Sequence, residues 1–199
     1  MSQPQTSVLV IDTSPARAAI IEEGLRAEGY ERVQLVTDVE RLAARIEVIA
    51  PDVIVMDLGN PKRDMLESML QVTRAVKKPV AMFVDRSDRQ SMEQAIEAGV
   101  SAYVVDGFRQ DRIKSIMEMA ISRFNAFSRM ERELEQAKSA LADRVVIDKA
   151  KHLLMKSRGL SEDAAYKILR KTAMDQNRRV VEVAESLLMS AALLGGDEP

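Results

Sequence analysis

The chain has 199 residues, is 46% hydrophobic and carries a net charge of −2, enough for one domain of ordinary size plus a smaller one. It has no Cys and a single His, His152, which excludes disulfides, thiolate metal sites and a His-cluster metal site, and suits a reducing cytoplasm. No uncharged stretch reaches the length of a membrane span, and Met1–Ser7 lacks the basic-then-apolar pattern of a leader, so a soluble cytoplasmic protein with no membrane partner is expected.

From residue 7 to 106, short apolar runs alternate with amphipathic stretches. Val8-Leu9-Val10-Ile11, Val53-Ile54-Val55-Met56 and Val80-Ala81-Met82-Phe83-Val84 are apolar on both faces; Val33-Gln34-Leu35-Val36 is mixed and Tyr103-Val104-Val105 is shorter. Strands buried on both faces belong to a parallel sheet covered by helices. The intervening helices are expected at about 15–28, 39–49, 63–76 and 89–98, with Gly29 and Gly99 at helix ends. Five strands alternating with helices predict a doubly wound α/β fold.

From near Gln110 to about Met155 there is no Gly or Pro, which predicts one long helix. Ile113, Ala120, Phe127, Leu134 and Leu141 recur every seven residues, while Glu131 and Lys138 interrupt the alternate seam of Met117, Phe124 and Val145. The first half, roughly 110–125, packs on the α/β domain in this reading. Beyond it the stripe of Phe127, Leu134 and Leu141 is a dimer seam of a partial coiled coil.

Lys156-Ser157-Arg158-Gly159 breaks the helix, and Ser161 is the expected N-cap of the next, with Glu162 and Asp163 at the positive end of its dipole. Asp175-Gln176-Asn177 forms a turn before a last helix that Gly195-Gly196 ends, leaving a disordered tail. Residues 1–144 carry 20 basic and 23 acidic side chains, but from Lys149 to Arg179 there are nine Lys/Arg against three acids. A compact basic helical module behind a mildly acidic chain points to a polyanion, most simply nucleic acid.

Carboxylates fall near the C-terminal ends of strands at Asp12, Asp57, Asp85 and Asp106, the edge where doubly wound sheets bind ligands. Val8–Asp12, Pro51–Asp57 with Pro61, Lys78-Pro79-Val80 and Ala98–Val105 resemble the receiver domain of bacterial response regulators, over about residues 7–124. The resemblance implies a flavodoxin-like sheet, and Asp57 at the place of the phosphoacceptor. It also implies a pair of acids for Mg²⁺ after the first strand, a Thr/Ser after the fourth and a Lys after the fifth. This chain has Thr13 as the second acid, Val84 at the Thr/Ser and Asp106-Gly107 at the Lys-Pro. Phosphoryl transfer depends on positioning and charge neutralisation. An anion in place of the Lys opposes an incoming phosphate, and Val84 cannot bond a phosphoryl oxygen. The expectation is a pseudo-receiver with an acidic pocket of Asp12, Thr13, Asp57 and Asp106 that does not signal by ordinary phosphorylation. Two readings stay open beside it: weak Mg²⁺ at Asp12 and Asp57 with phosphorylation retained, or a structural carboxylate at Asp57. No cofactor is expected.

Ala150, Leu154-Met155, Ala164-Ala165-Tyr166, Leu169-Arg170 and Ala173-Met174 resemble the ANTAR domain, an all-α three-helix RNA-binding output module, over about 143–193. The chain is thus similar to the ANTAR-domain response regulators of nitrate and nitrite assimilation. That implies binding to paired stem-loops in a leader RNA so that a terminator hairpin does not form. It also implies a nitrate/nitrite-sensing partner (NasS-like) that holds the protein inactive. The domains are expected at 1–124, 125–144 (coiled-coil linker) and 145–199. Among the residues themselves, Tyr166 and Arg170 share a helix face for stacking on bases, and Lys149, Lys151, Lys156 and Lys171 supply phosphate contacts. Tyr166 is equally readable as half-buried packing. A DNA-binding response regulator controlled by phosphorylation of Asp57 and a protein–protein adaptor are the competing functions. No nucleophile–base pair or phosphate-binding Gly loop points to an enzyme.

Overall fold

The computed structural model describes residues 6–194 and divides into two units that meet between Ser128 and Arg129. In the first, strands β1 (Ser7–Ile11), β2 (Arg32–Val36), β3 (Val53–Gly59), β4 (Val80–Val84) and β5 (Ala102–Val105) alternate with helices α1 (Pro15–Ala27), α2 (Leu42–Ile49), α3 (Arg63–Ala75) and α4 (Arg89–Glu97). Helix α5 (Gln110–Arg158) is shared between the units, and α6 (Glu162–Asp175) and α7 (Val180–Leu194) complete the second.

All five strands are parallel, in the order β2-β1-β3-β4-β5. The order turns back between β1 and β3, which makes the C-terminal edge of those two strands the crevice where a doubly wound sheet takes a ligand. Ile11 pairs with Met56 there, so Asp12 and Asp57, the next residue of each, stand side by side. β3 continues through Asp57 to Gly59, with a register shift between those two residues. Asp57 is therefore inside the strand rather than beyond its end.

Each face of the sheet has its own core. Ile21 and Leu25 of α1 and Ile113, Met117 and Ala120 of α5 cover Val8, Val10, Val55 and Phe83. Leu42 and Ile46 of α2, Leu66, Met69 and Leu70 of α3 and Ala95 of α4 cover Leu9, Ile11, Ile54, Met56 and Met82. Continuous apolar strands are what burial on both faces requires. Gly29 and Gly99 follow α1 and α4 with φ of 92° and 87°, the left-handed ending that Gly adopts without a Cβ penalty.

The second unit has its own core: Ala150 and Leu154 of α5, Ala165, Leu169 and Ala173 of α6, and Val183 and Ala184 of α7. Small residues at these positions let three helices approach closely. Ser161 caps α6, its Oγ accepting from the Ala164 N–H at 3.3 Å. The expected stop at Gly195-Gly196 and the tail beyond lie outside the described residues. No helix among the described residues is long and apolar enough to cross a membrane.

Candidate functional site

Two groups of residues stand out, one in each unit. In the first, Asp12 is buried at the end of β1 and both its oxygens are engaged. The Ser14 N–H donates to Oδ1 at 2.7 Å, and Arg17 of α1 grips the carboxylate with two prongs, Nη2 to Oδ1 at 2.9 Å and Nε to Oδ2 at 3.0 Å. Asp57 is 5% exposed, and its Oδ1 accepts from the Gly59 N–H at 3.0 Å. Burial pushes the Asp57 carboxyl above its ordinary value; the Gly59 N–H opposes this, the nearby Asp12 and Asp85 charges add to it, and Arg17 opposes it. Asp85, whose N–H donates to the Gly59 carbonyl at 2.7 Å, is exposed but is the third acid whose charge acts on Asp57 and Arg17.

The pocket differs from the expected set at two residues. Thr13 is exposed, so it is no second acid's stand-in facing Asp57. Asp106 is exposed too, with a left-handed φ of 79°, and is not among the charges that act on Asp57 or Arg17. The left-handed turn at Asp106-Gly107 brings Gly107 close to Asp85 instead: a Cβ on Gly107 would lie 3.2 Å from Asp85 Oδ1. Arg17 was not singled out from the sequence. A basic residue five positions after a strand-end Asp, in the first turn of α1, is the available signal.

The receiver fold implies a divalent ion in this place. Such an ion needs carboxylate oxygens that are open to it. Here Arg17 takes both Asp12 oxygens, Gly59 takes one of Asp57, and Thr13 is turned to solvent. Among the described residues no group of three or more His, Cys, Asp or Glu side chains is arranged to hold a metal. The residues present do not fit the ion.

Val84 carries no hydroxyl, but three residues on, Ser87 makes a 2.8 Å hydrogen bond to the Tyr103 hydroxyl of β5. The β4–α4 loop and β5 are thus already joined.

In the second unit the structure sorts the nine cations. Lys151 pairs with Asp148 at 2.7 Å and with Glu162 at 2.6 Å, and its side chain is only 13% exposed. It ties α5 to the start of α6, which takes it out of any phosphate track and corrects the expectation for it. Lys167 pairs with Asp163 at 2.6 Å, Arg178 bonds the Glu182 carbonyl and the Ser186 hydroxyl, and Arg179 pairs with Asp143. Lys149, Lys156, Arg158, Arg170 and Lys171 are exposed and make no ion pair among the described residues. Lys149 and Lys156 lie two turns apart on one side of α5, and Tyr166 and Arg170 one turn apart on α6. Tyr166 is 41% exposed, one position round from the buried Ala165 and Leu169, so its ring reaches solvent. His152 is exposed, with Nδ1 2.8 Å from the Asp148 carbonyl.

Phe127, Leu134 and Leu141 of α5 are 61%, 56% and 65% exposed. Among the described residues nothing covers this apolar stripe.

The receiver-domain model of response regulators matches residues 8–118, and the ANTAR-domain model matches 135–188. The chain is 30% identical over 181 residues to the transcriptional regulatory protein PdtaR of Mycobacterium tuberculosis, covering 91% of this chain and 88% of that one. It is 38% identical over 80 residues to the nitrate regulatory protein of Klebsiella oxytoca, covering 40% of this chain but 20% of that longer protein. Among solved structures, the signal receiver domain of a modulated diguanylate cyclase from Desulfovibrio desulfuricans G20 is 18% identical with a TM-score of 0.53. It covers 62% of this chain and 98% of that domain. A response regulator from Thermotoga maritima is 19% identical with a TM-score of 0.51, covering 60% and 99%. Both likenesses are of fold.

Proposed function

The chain belongs to the response regulators that carry an ANTAR domain, and we propose that it is a transcription antitermination regulator whose C-terminal helices bind paired stem-loops in a leader RNA. The observation that carries this reading is the set of exposed cations on α5 and α6 that make no ion pair among the described residues, in the same unit as the exposed Tyr166. A basic surface of this kind supplies sequence-independent phosphate attraction, while an exposed aromatic next to an Arg supplies a platform for unstacked bases. Arg170 sits one turn from Tyr166 and contacts the same loop; Lys149, Lys156 and Lys171 contact phosphates, joined by the exposed Arg158 at the end of α5.

The front unit controls access to that surface without ordinary phosphorylation. Asp57 is buried beside two further carboxylates, and the position where a receiver offers a hydroxyl to the phosphoryl group is the buried Val84. A nitrate- or nitrite-sensing partner protein, suggested by the stretch shared with the Klebsiella nitrate regulatory protein, holds the molecule inactive in the cytoplasm. The active form is a homodimer paired through Phe127, Leu134 and Leu141, so two modules engage two stem-loops and linkage raises their effective concentration.

The test is the full chain against leader hairpins and against duplex DNA of the same sequence in gel shifts, paired with a cell-free termination assay. Hairpin binding, with read-through lost on reversing charge at Arg170→Glu and Lys171→Glu, is expected. Preference for duplex DNA would identify a DNA-binding regulator. No nucleic-acid retention alongside a tight protein complex would identify an adaptor. A phospho-adduct on Asp57 after incubation with a small phosphodonor and Mg²⁺ would overturn the control mechanism alone.

A further inference from the structure

Asp12 and Asp57 stand side by side at the switch point of the sheet, both buried, and the exposed Asp85 at the end of the neighbouring strand adds its charge. Buried charges persist only with a counter-charge and hydrogen bonds to hold them. In this pocket the counter-charge comes from the chain itself. Arg17 Nε and Nη2 reach the two oxygens of Asp12 at 3.0 and 2.9 Å, the parallel two-pronged pairing that makes an Arg–carboxylate contact strong and directional. The third nitrogen, Nη1, lies against Gly59, where any Cβ would overlap it. Asp57 and Asp85 both act on the guanidinium as well as Asp12. One side chain therefore bonds Asp12, feels the charges of Asp57 and Asp85, and spans from α1 to the end of β3.

We infer that Arg17 is the resident cation of this pocket, seated where a divalent ion would sit and closing the pocket to one. The Asp12 side chain has no exposed surface while that of Arg17 keeps 41%, so the guanidinium is the wet cover of a dry carboxylate. An incoming ion must first break both prongs, and a guanidinium cannot be neutralised by loss of a proton to make way. Gly59 belongs to the device: a residue without a Cβ is what leaves Nη1 its place, and the backbone there has a left-handed φ of 56° that Gly accepts without strain. The inference rests on the reading of the front unit as a receiver that does not use ordinary phosphorylation, and it states what replaced the metal.

The full-length protein is titrated with Mn²⁺, followed by water-proton relaxation, and its thermal unfolding is measured with and without MgCl₂ at matched ionic strength. Wild type is expected to bind no Mn²⁺ and to show no Mg²⁺-dependent change in Tm. Arg17→Ala is expected to lower Tm in the absence of metal, to gain Mn²⁺ binding, and to recover part of the loss when Mg²⁺ is added. Should Arg17→Ala not fold, Arg17→Lys keeps one charge but loses the fork, and is expected to bind Mn²⁺ where wild type does not. Mn²⁺ binding by wild type, or none by the folded variants, overturns the inference. The relaxation signal is independent of any phosphodonor, so a phospho-adduct found on Asp57 without bound Mn²⁺ would sink the non-phosphorylation reading while leaving the resident cation standing.

Discussion

Asp57 is held between opposing influences: dehydration and the charges of Asp12 and Asp85 favour its protonated form, the Gly59 N–H and Arg17 its charged form, and the first group prevails. Its proton is therefore bound more tightly in the folded chain than in the unfolded one, whose ordinary value is 3.8. The stability this gives is complete below that value and is lost as pH rises through the raised folded value. Asp57→Asn removes the burial cost of the charge, so at neutral pH it should raise Tm, with the gain over wild type shrinking as pH falls through the same interval. Thermal melts across the acid range measure this; a Tm lowered at neutral pH would contradict it. Tyr166 is the other residue on which a function turns. With its ring reaching solvent, Tyr166→Ala should leave the melt nearly unchanged and weaken hairpin binding by about 1–3 kcal/mol, the worth of one base–aromatic stack, whereas Tyr166→Phe keeps most of the affinity. A large fall in Tm for Tyr166→Ala would make the residue packing rather than contact.

Helix α1 carries Gly24 in its interior, where helix propensity alone favours Ala by about 1 kcal/mol. The reason lies in the loop before α5: a Cβ on Gly24 would stand 2.7 Å from Phe108 Cζ, and Phe108 itself packs edge-on against Phe83 of β4, ring centres 5.9 Å apart. Gly24→Ala should destabilise by about 1–3 kcal/mol through overpacking, and the same change in a Phe108→Ala background should cease to do so. Denaturant unfolding of the four proteins checks the cycle. Helix α5 poses a different question, since Phe127, Leu134 and Leu141 are bare along one stripe while Glu131 and Lys138 interrupt its alternate seam. If a second copy covers the stripe, Leu134→Glu with Leu141→Glu should shift the mass measured by light scattering from dimer to monomer and keep the helical circular dichroism. A monomeric wild type, or a dimer indifferent to both changes, would exclude that pairing.

Across the whole molecule, charge is divided rather than uniform. The net charge of −2 conceals a module in which Lys149, Lys156, Arg158, Arg170 and Lys171 have no acidic partner among the described residues, while Lys151, Lys167, Arg178 and Arg179 are engaged within the unit. With about four to six phosphate contacts, log affinity for a hairpin should fall with log salt at a slope of about −3 to −4. Replacing Lys156 by Gln should make that slope shallower by roughly 0.7 to 0.9, whereas replacing Lys151 should act through stability, as loss of the α5–α6 tie. A salt series with each variant separates the two, and equal slopes for wild type and Lys156→Gln would remove Lys156 from the interface.

The alternation of doubly apolar strands with helix-period segments was sufficient to place all five strands and the helices between them, because parallel strands covered on both sides leave no polar face to confuse the pattern. The unbroken run from Gln110, the cap at Ser161 and the basic excess near the C-terminus were equally plain, since each is a local property of the chain. What the residue order could not hold was the pairing of charges distant in sequence or turned by one backbone angle. Asp106 sits at a strand end like the other acids, yet a left-handed φ turns that position out to solvent and Asp85 takes its place. Lys151 reads as one more cation until α6 folds back and supplies Glu162. Arg17 reads as a surface residue of α1 until β3 brings Asp57 and a bare Gly59 beneath it, and only that convergence gives the acidic pocket a cation of its own.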